Sequence, residues 1–176
     1  WKELPAWPGP SRMLAVAGAI NNKFFLFSGT EVREGKRTYL SDAYSFSERE
    51  GWSRLADLPF AVVAAPSPAF TSQKKELIIF GGDTGEEAAS AAVLRERHPG
   101  FSNKILRYRI TENNWSFAGK VYTQKKADSI TVPNNSTWAP VTTPLVVWKD
   151  RMVLPGGEVR PGTRTPRVLT AKPQED

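Results

Sequence analysis

Three stretches of the chain run through the same order of features, and this repetition constrains the fold more than any single residue. The first is WKELPAWPGPSRMLAVAGAINNKFFLFSG from Trp1, and the second is WSRLADLPFAVVAAPSPAFTSQKKELIIFGG from Trp52. The third opens as WSFAGKVYT at Trp115 and, after a longer loop, resumes as TTPLVVWKDRMVLPGG. Each passes from a Trp through a Pro-bearing loop to an apolar strand, a short polar turn (NNK, SQKK, KD) and a second apolar strand. Each then reaches a pair of small residues: Ser28-Gly29, Gly81-Gly82, Gly156-Gly157. A variable loop follows, then a third strand carrying Tyr44 in the first unit and Tyr108 in the second. A fourth strand starts at Trp52 and Trp115, eight and seven residues after those Tyr.

Short apolar runs bounded by Gly, Asn, Lys and Asp are strands rather than helices on length alone. The 13 Gly and 14 Pro suit many strands joined by tight turns. Four antiparallel strands per unit, recurring at roughly fifty residues or more, describe the blade of a β-propeller. The small pair permits positive φ and close backbone approach, and the Tyr and Trp supply apolar area between adjacent sheets. The pattern of apolar strand, Gly-Gly, Tyr and then Trp resembles the kelch repeat over nearly the whole chain, with Ser28 in place of a first Gly and Leu169 near the Tyr position of the third unit. The resulting expectation is all-β, a kelch-type β-propeller with three blades' worth of four-stranded antiparallel sheet. Residues 1–11 form the outer strand of a preceding blade, 12–55 a blade, 66–118 a second blade with an inserted helical loop at 84–100, and 140–171 an incomplete blade.

Three blades do not close a ring, since propellers typically have four to eight, and an open stack leaves unpaired edges. Two readings follow: the chain is half of a six-bladed protein, or two copies form a homodimer in which each lends its first strand to the other's third blade.

Composition narrows the chemistry. The absence of Cys excludes disulfides, thiol nucleophiles and thiolate metal sites. His98 is the single His, so a multi-histidine metal site cannot form within one chain. No metal and no cofactor is called for. No apolar run approaches the eighteen or so residues of a membrane span, and no signal peptide is visible from Trp1. The net charge of +6 suits an anionic partner. The bases form no dense run, which favours a solvated basic surface over a nucleic-acid interface.

In an antiparallel meander the loops entering the first strands and those leaving the second strands share one face. Arg12, Asp83, Thr143, Glu158 and Arg164 then reach the mouth of the channel. The insertion at 84–100 contains EEAASAAVLRER, rich in helix formers, and a helix there would wall or decorate that face. The stretch GGEVRPGTRTP, Gly156 to Pro166, sets Glu158, Arg160 and Arg164 on a loop stiffened by Pro161 and hinged by glycines. Such a loop holds side chains in place. Arg offers a planar fork for a carboxylate, and Glu158 offers a proton acceptor. An alternative is that Glu158 and Arg164 pair and only pin the loop.

At these residues the chain resembles the sialic acid mutarotases, also called N-acetylneuraminate epimerases, which are six-bladed kelch-type propellers. GGEVRPGTRTP is similar to their Gly-Glu-x-Arg/Lys-Pro-Gly-x-Arg-Thr/Ser segment, and IIFGGDTG, HPGFSNKILRY and VTTPLVVW also look like that family in the same order. The resemblance implies catalytic roles for Glu158 and Arg164; the placement of the loops adds Arg12, Asp83, Thr143 and Arg160 as substrate-binding candidates. It implies an anionic sugar, sialic acid, as partner and interconversion of its α and β anomers by acid/base ring opening. A periplasmic or secreted location is implied by the family alone. The competing reading is a kelch-repeat protein-interaction module without catalytic activity. A copper oxidase on the same fold is disfavoured, because that chemistry needs two His and a Cys-modified Tyr.

Overall fold

The structure, a computed structural model, describes residues 1–73, 75–94, 97–129, 131 and 135–173. It is all-β apart from one helical turn, and its sheets are propeller blades. Blade 1 holds β1 (Val16–Ile20), β2 (Lys23–Phe27), β5 (Ala43–Ser47) and β6 (Gly51–Arg54) in the order β1-β2-β5-β6. A separate hairpin of β3 (Thr30–Arg33) and β4 (Lys36–Tyr39) fills its variable loop. Blade 2 holds β7 (Phe70–Thr71), β8 (Glu76–Gly82), β9 (Ser102–Arg109) and β10 (Asn114–Lys120), all paired antiparallel. Blade 3 holds three strands: β11 (Val146–Trp148), β12 (Arg151–Arg160) and β13 (Thr163–Ala171).

Local chemistry explains the turns. Asn21 and Asn22 join β1 to β2 with φ of 52° and 59°, the double positive φ of a tight hairpin turn, which Asn tolerates better than most residues. Glu34 and Gly35 do the same between β3 and β4, at 51° and 75°. Residues 1–11, expected as a strand, form none here: a strand needs a neighbour to pair with, and this segment instead lies against blade 1 through side chains. Trp7 meets Trp52 edge to face at 6.4 Å, and the Trp52 indole donates to the Pro5 carbonyl at 2.6 Å.

Within the insertion, tight turns at 86–90 lead into α1 (Ala91–Leu94); Arg95 and Glu96 lie outside the described residues. No residue of α1 is buried.

The blades are joined at their innermost strands. The Ala64 amide donates to Leu14 O at 2.9 Å, and the Thr142 amide donates to Ala64 O at 2.7 Å. Leu14, Ala64 and Thr142 occupy equivalent places and all have positive φ, at 59°, 56° and 55°. The same strained kink therefore recurs in each blade. Left-handed φ costs roughly 1–2 kcal/mol in a non-glycine residue, and here it aims an amide at the preceding blade. Further out, one apolar cluster fills the gap between blades 1 and 2, with Phe25, Phe27, Leu77, Ile79, Leu106 and Tyr108 buried in it. Trp115 closes it, 5.2 Å from the Phe27 ring and 4.9 Å from Tyr108. Burial pushes the Tyr108 phenol up to about 12. A second cluster, including Ile78, Phe80, Leu145, Met152 and Leu154, joins blades 2 and 3.

The small pair is a point of close approach in each unit. Its first residue has φ of 57°, 68° and 69° at Ser28, Gly81 and Gly156, and its second has 100°, 113° and 112° at Gly29, Gly82 and Gly157. A Cβ on Gly157 would sit 2.6 Å from Val141 O, so the entering strand leaves room for no side chain. Ser28 is accepted because its position is left-handed rather than crowded. Its hydroxyl donates to Leu40 O and accepts the Val62 amide, both at 2.8 Å, which ties blade 1 to the linker before blade 2.

Arg12, expected at the mouth as a substrate-binding residue, is held inside blade 1. Its guanidinium meets both Asp42 oxygens at 2.7 and 2.8 Å, donates to Ser28 O at 2.9 Å, and lies between the Trp7 and Tyr44 rings. Its side chain is 1% exposed. The Asp42 carboxyl is raised by burial, but the hydrogen bonds and charge of Arg12 outweigh this and hold it below the ordinary carboxylate range.

Two stability predictions follow from these contacts. Gly157→Ala should lower stability by more than about 2 kcal/mol, since it adds a steric clash to an unfavourable φ. Gly35→Ala, whose added Cβ meets nothing within 4 Å, should cost only about 1 kcal/mol; urea midpoints of the two variants compare them. Arg12→Ala should cost about 1–3 kcal/mol by leaving a part-buried carboxylate without its guanidinium. Because the folded Asp42 carboxyl is depressed, its contribution is complete above the ordinary carboxylate range and fades as pH falls through the lowered folded value. Urea unfolding from pH 6 downward should show this loss beginning at about pH 4, and Asp42→Asn should remove that part of the slope.

Candidate active site

Three antiparallel bridges place equivalent residues of the three units: Met13 with Thr30, Val63 with Asp83, and Val141 with Glu158. In every blade the residue after the small pair thus meets the loop entering the first strand. The entering and leaving loops share one face, as the meander argument requires. Thr30, Asp83 and Glu158 are the three occupants of one repeated position. Two of the three are acids.

Blade 3 builds its acid into a more rigid frame than expected. GGEVRPGTRTP is not a loop beyond the sheet. β12 runs through Gly156 and Gly157 to Arg160, and β13 returns from Thr163, so only Pro161 and Gly162 turn. Pro fixes φ at the first turn position and Gly162, with φ of 73°, takes the second. Register shifts at Pro155/Gly157 and Glu158/Arg160 mark bulges that re-aim the side chains between them. Glu158 stands opposite Arg164 across the hairpin.

The Glu158 carboxylate is positioned by its own turn: Oε1 accepts the Gly162 amide at 2.8 Å. The residue is half-buried, and Arg164 is exposed. Among the described residues, Arg164 makes no ion pair, so the loop is pinned by a backbone amide and not by a Glu158–Arg164 pair. One carboxylate oxygen is fixed, the other is available as a proton acceptor, and an unengaged guanidinium stands on the opposite strand. That is the minimum needed to hold an anionic ligand and take a proton from it.

The remaining candidates divide. Asp83 lies at the mouth, where Oδ1 accepts the Gly85 amide and Oδ2 accepts the Tyr39 hydroxyl, both at 2.9 Å. Burial, and then the neighbouring Asp83 carboxylate, raise the Tyr39 phenol. Thr143 is brought beside Gly157, but it is 7% exposed and its hydroxyl donates to Pro155 O at 2.9 Å. It braces the hairpin. Arg160 is 8% exposed with its guanidinium 5.7 Å from the centre of the Trp138 ring, beside the register shift at Glu158/Arg160. Arg12 is committed to Asp42, as described above.

Sequence reasoning missed Tyr39, Asp42 and Trp138. Each acts through a contact distant in sequence, and none sits in a motif; Tyr39 and Asp83, for example, are 44 residues apart.

No family model matches the chain. The N-acetylneuraminate epimerase of Haemophilus influenzae (strain 86-028NP) is 24% identical over 194 residues, which is 98% of this chain and 48% of that protein. The protein of the same name from Yersinia enterocolitica serotype O:8 / biotype 1B is 23% identical over 99% of this chain and 47% of its own length. The solved structure of YjhT superposes with a TM-score of 0.75 at 18% identity, over 98% of this chain and 52% of that one. The chain thus spans about half the length of the curated relatives it matches. Over nearly all of its own length it is similar in sequence to the N-acetylneuraminate epimerases, and in fold it is half of a propeller.

Proposed function

We propose that this chain supplies the catalytic half of a sialic acid mutarotase, an isomerase that interconverts the α and β anomers of N-acetylneuraminate. The observation that carries the reading is the blade-3 hairpin, which presents Glu158 with one oxygen fixed by Gly162 and Arg164 with no ion-pair partner. The names of the relatives supply the substrate.

In this mechanism the guanidinium of Arg164 takes the substrate carboxylate, and the free oxygen of Glu158 takes the proton of the anomeric hydroxyl. The electrons of that O–H bond form the ketone as the bond from the anomeric carbon to the ring oxygen breaks. The ring oxygen receives a proton from a positioned water or a second residue. Rotation about the freed bond presents the other face of the ketone, and the reverse steps close the ring as the opposite anomer. The steps are redox-neutral and return Glu158 to its starting state. The net charge of +6 steers an anionic sugar to the protein. A protein-docking mouth would favour exposed aromatics, whereas the hairpin between Gly157 and Pro166 carries none.

The ring is completed by three further blades, supplied by additional chain or by a second copy; a monomeric solution mass with intact sheet content would rule out the second copy.

Exchange between the two anomers, followed by NMR with protein added, tests the reading. The protein should accelerate exchange, and Glu158→Gln should remove about 10²–10⁴-fold of that rate while circular dichroism stays unchanged. Arg164→Ala should act mainly by raising KM. No acceleration by folded protein with its ring complete would sink the proposal.

A further inference from the structure

The blade-2 insertion and the segment leading into blade 3 line a half-open cavity of about 350 Å³, within the size range of small-molecule sites. Asp83, His98, Asn103, Thr123, Lys125 and Trp138 are among the residues lining it. Glu158 and Arg164 are not, but Trp138 connects the two places: its ring carries the Arg160 guanidinium at 5.7 Å, and it packs so closely on Gly100 that a Cβ there would lie 2.5 Å from the ring.

His98 is the unusual member. It is 5% exposed, with its ring 5.7 Å from that of Phe101. Its Nδ1 accepts the Gly100 amide at 3.1 Å, which in a neutral imidazole leaves the proton on Nε2. Among the described residues, Nε2 has no hydrogen-bond partner, and it is not among the fully buried unpartnered atoms, so it is open to whatever fills the space beside it. The cavity is the space open to it.

The lining also says what would answer that donor. Asp83, Glu86 and Glu87 bring negative charge, and both lining lysines lie over aromatic rings, Lys104 over Phe60 and Phe117 and Lys125 at 5.7 Å from the centre of the Trp138 ring. Such a wall does not select a carboxylate. It alternates acceptors with donors beside an indole, and that suits hydroxyl groups on an apolar carbon frame. We propose that this cavity binds the uncharged, hydroxyl-bearing part of a sugar, with the His98 Nε2–H as its fixed donor. The choice of N-acetylneuraminate as probe rests on the proposed function; the assignment of the cavity does not.

The test is a titration of the protein with N-acetylneuraminate, read by the NMR signals of the His98 imidazole N–H and the Trp138 indole N–H. Both should shift saturably. His98→Asn keeps an acceptor for the Gly100 amide but loses the donor at Nε2, and should bind roughly three- to tenfold more weakly at an unchanged thermal midpoint. Should that variant fail to fold, the shifts in the unmodified protein decide alone. Signals that stay still throughout, or a folded His98→Asn that binds as tightly as the unmodified protein, overturn the proposal. Anomer exchange measured on the same samples separates the two ideas. Acceleration with unmoved signals rejects the cavity and keeps the mutarotase reading. Saturable shifts without acceleration, in protein with its ring complete, do the reverse.

Discussion

At Gly157 the backbone of β12 passes so close to the backbone of the entering strand that no side chain fits between them, and much of the mouth follows from that approach. The amide and carbonyl of Glu158 bond to Val141 at 2.9 and 2.7 Å, and those bonds require the two chains to touch. Val141 in turn leads to Thr142, whose left-handed amide reaches Ala64 of the neighbouring blade. The same sequence of contacts runs through Gly82, Val63 and Asp83, and through Gly29, Met13 and Thr30. One steric constraint, repeated three times, fixes where the residue after each small pair stands.

The functional differences between blades arise on top of that shared frame. Thr30 is buried with its hydroxyl on Thr38 O, and starts an exposed hairpin. Asp83 starts the insertion, held by Tyr39 from the blade before it. Glu158 starts a hairpin whose turn returns an amide to its carboxylate. Among the described residues, it is in blade 3 that the acid is faced by an arginine with no ion-pair partner. The arginines show the same selection by environment. Arg12 is enclosed by Asp42 and two aromatic rings, Arg160 lies on Trp138, and Arg164 stands in solvent. A guanidinium is stable in all three settings because its planar face tolerates a ring and its edge takes oxygen acceptors.

Contacts between elements far apart in sequence set the rigidity of the mouth. Tyr39 brings the blade-1 hairpin to Asp83 and packs on Gly85, while Trp138 spans Gly100 of the insertion and Arg160 of the blade-3 hairpin. The insertion needs no long helix to be positioned, because an aromatic ring on either side grips a glycine within it. Behind these contacts, the apolar clusters between blades hold the three sheets as one body.

The sequence by itself determined the blade. The alternation of apolar runs, polar turns and small pairs is local chemistry, dictated by the two-residue period of a strand and by the few residues that accept positive φ, and it placed the β2, β8 and β12 strands and the Tyr44/Trp52 and Tyr108/Trp115 positions. It also singled out Glu158 and Arg164, because a Pro and three glycines around charged residues leave a local mark. It could not say that GGEVRPGTRTP continues the sheet, since the bulges there depend on pairing with β13. Nor could it say which arginine would stay exposed. Arg12, Arg160 and Arg164 look alike in the chain, and their fates depend on Asp42, Trp138 and open solvent, none of which neighbours its arginine in sequence. Only the tertiary structure brings those partners together, because burial and pairing are properties of the space around a side chain and not of the residues on either side of it.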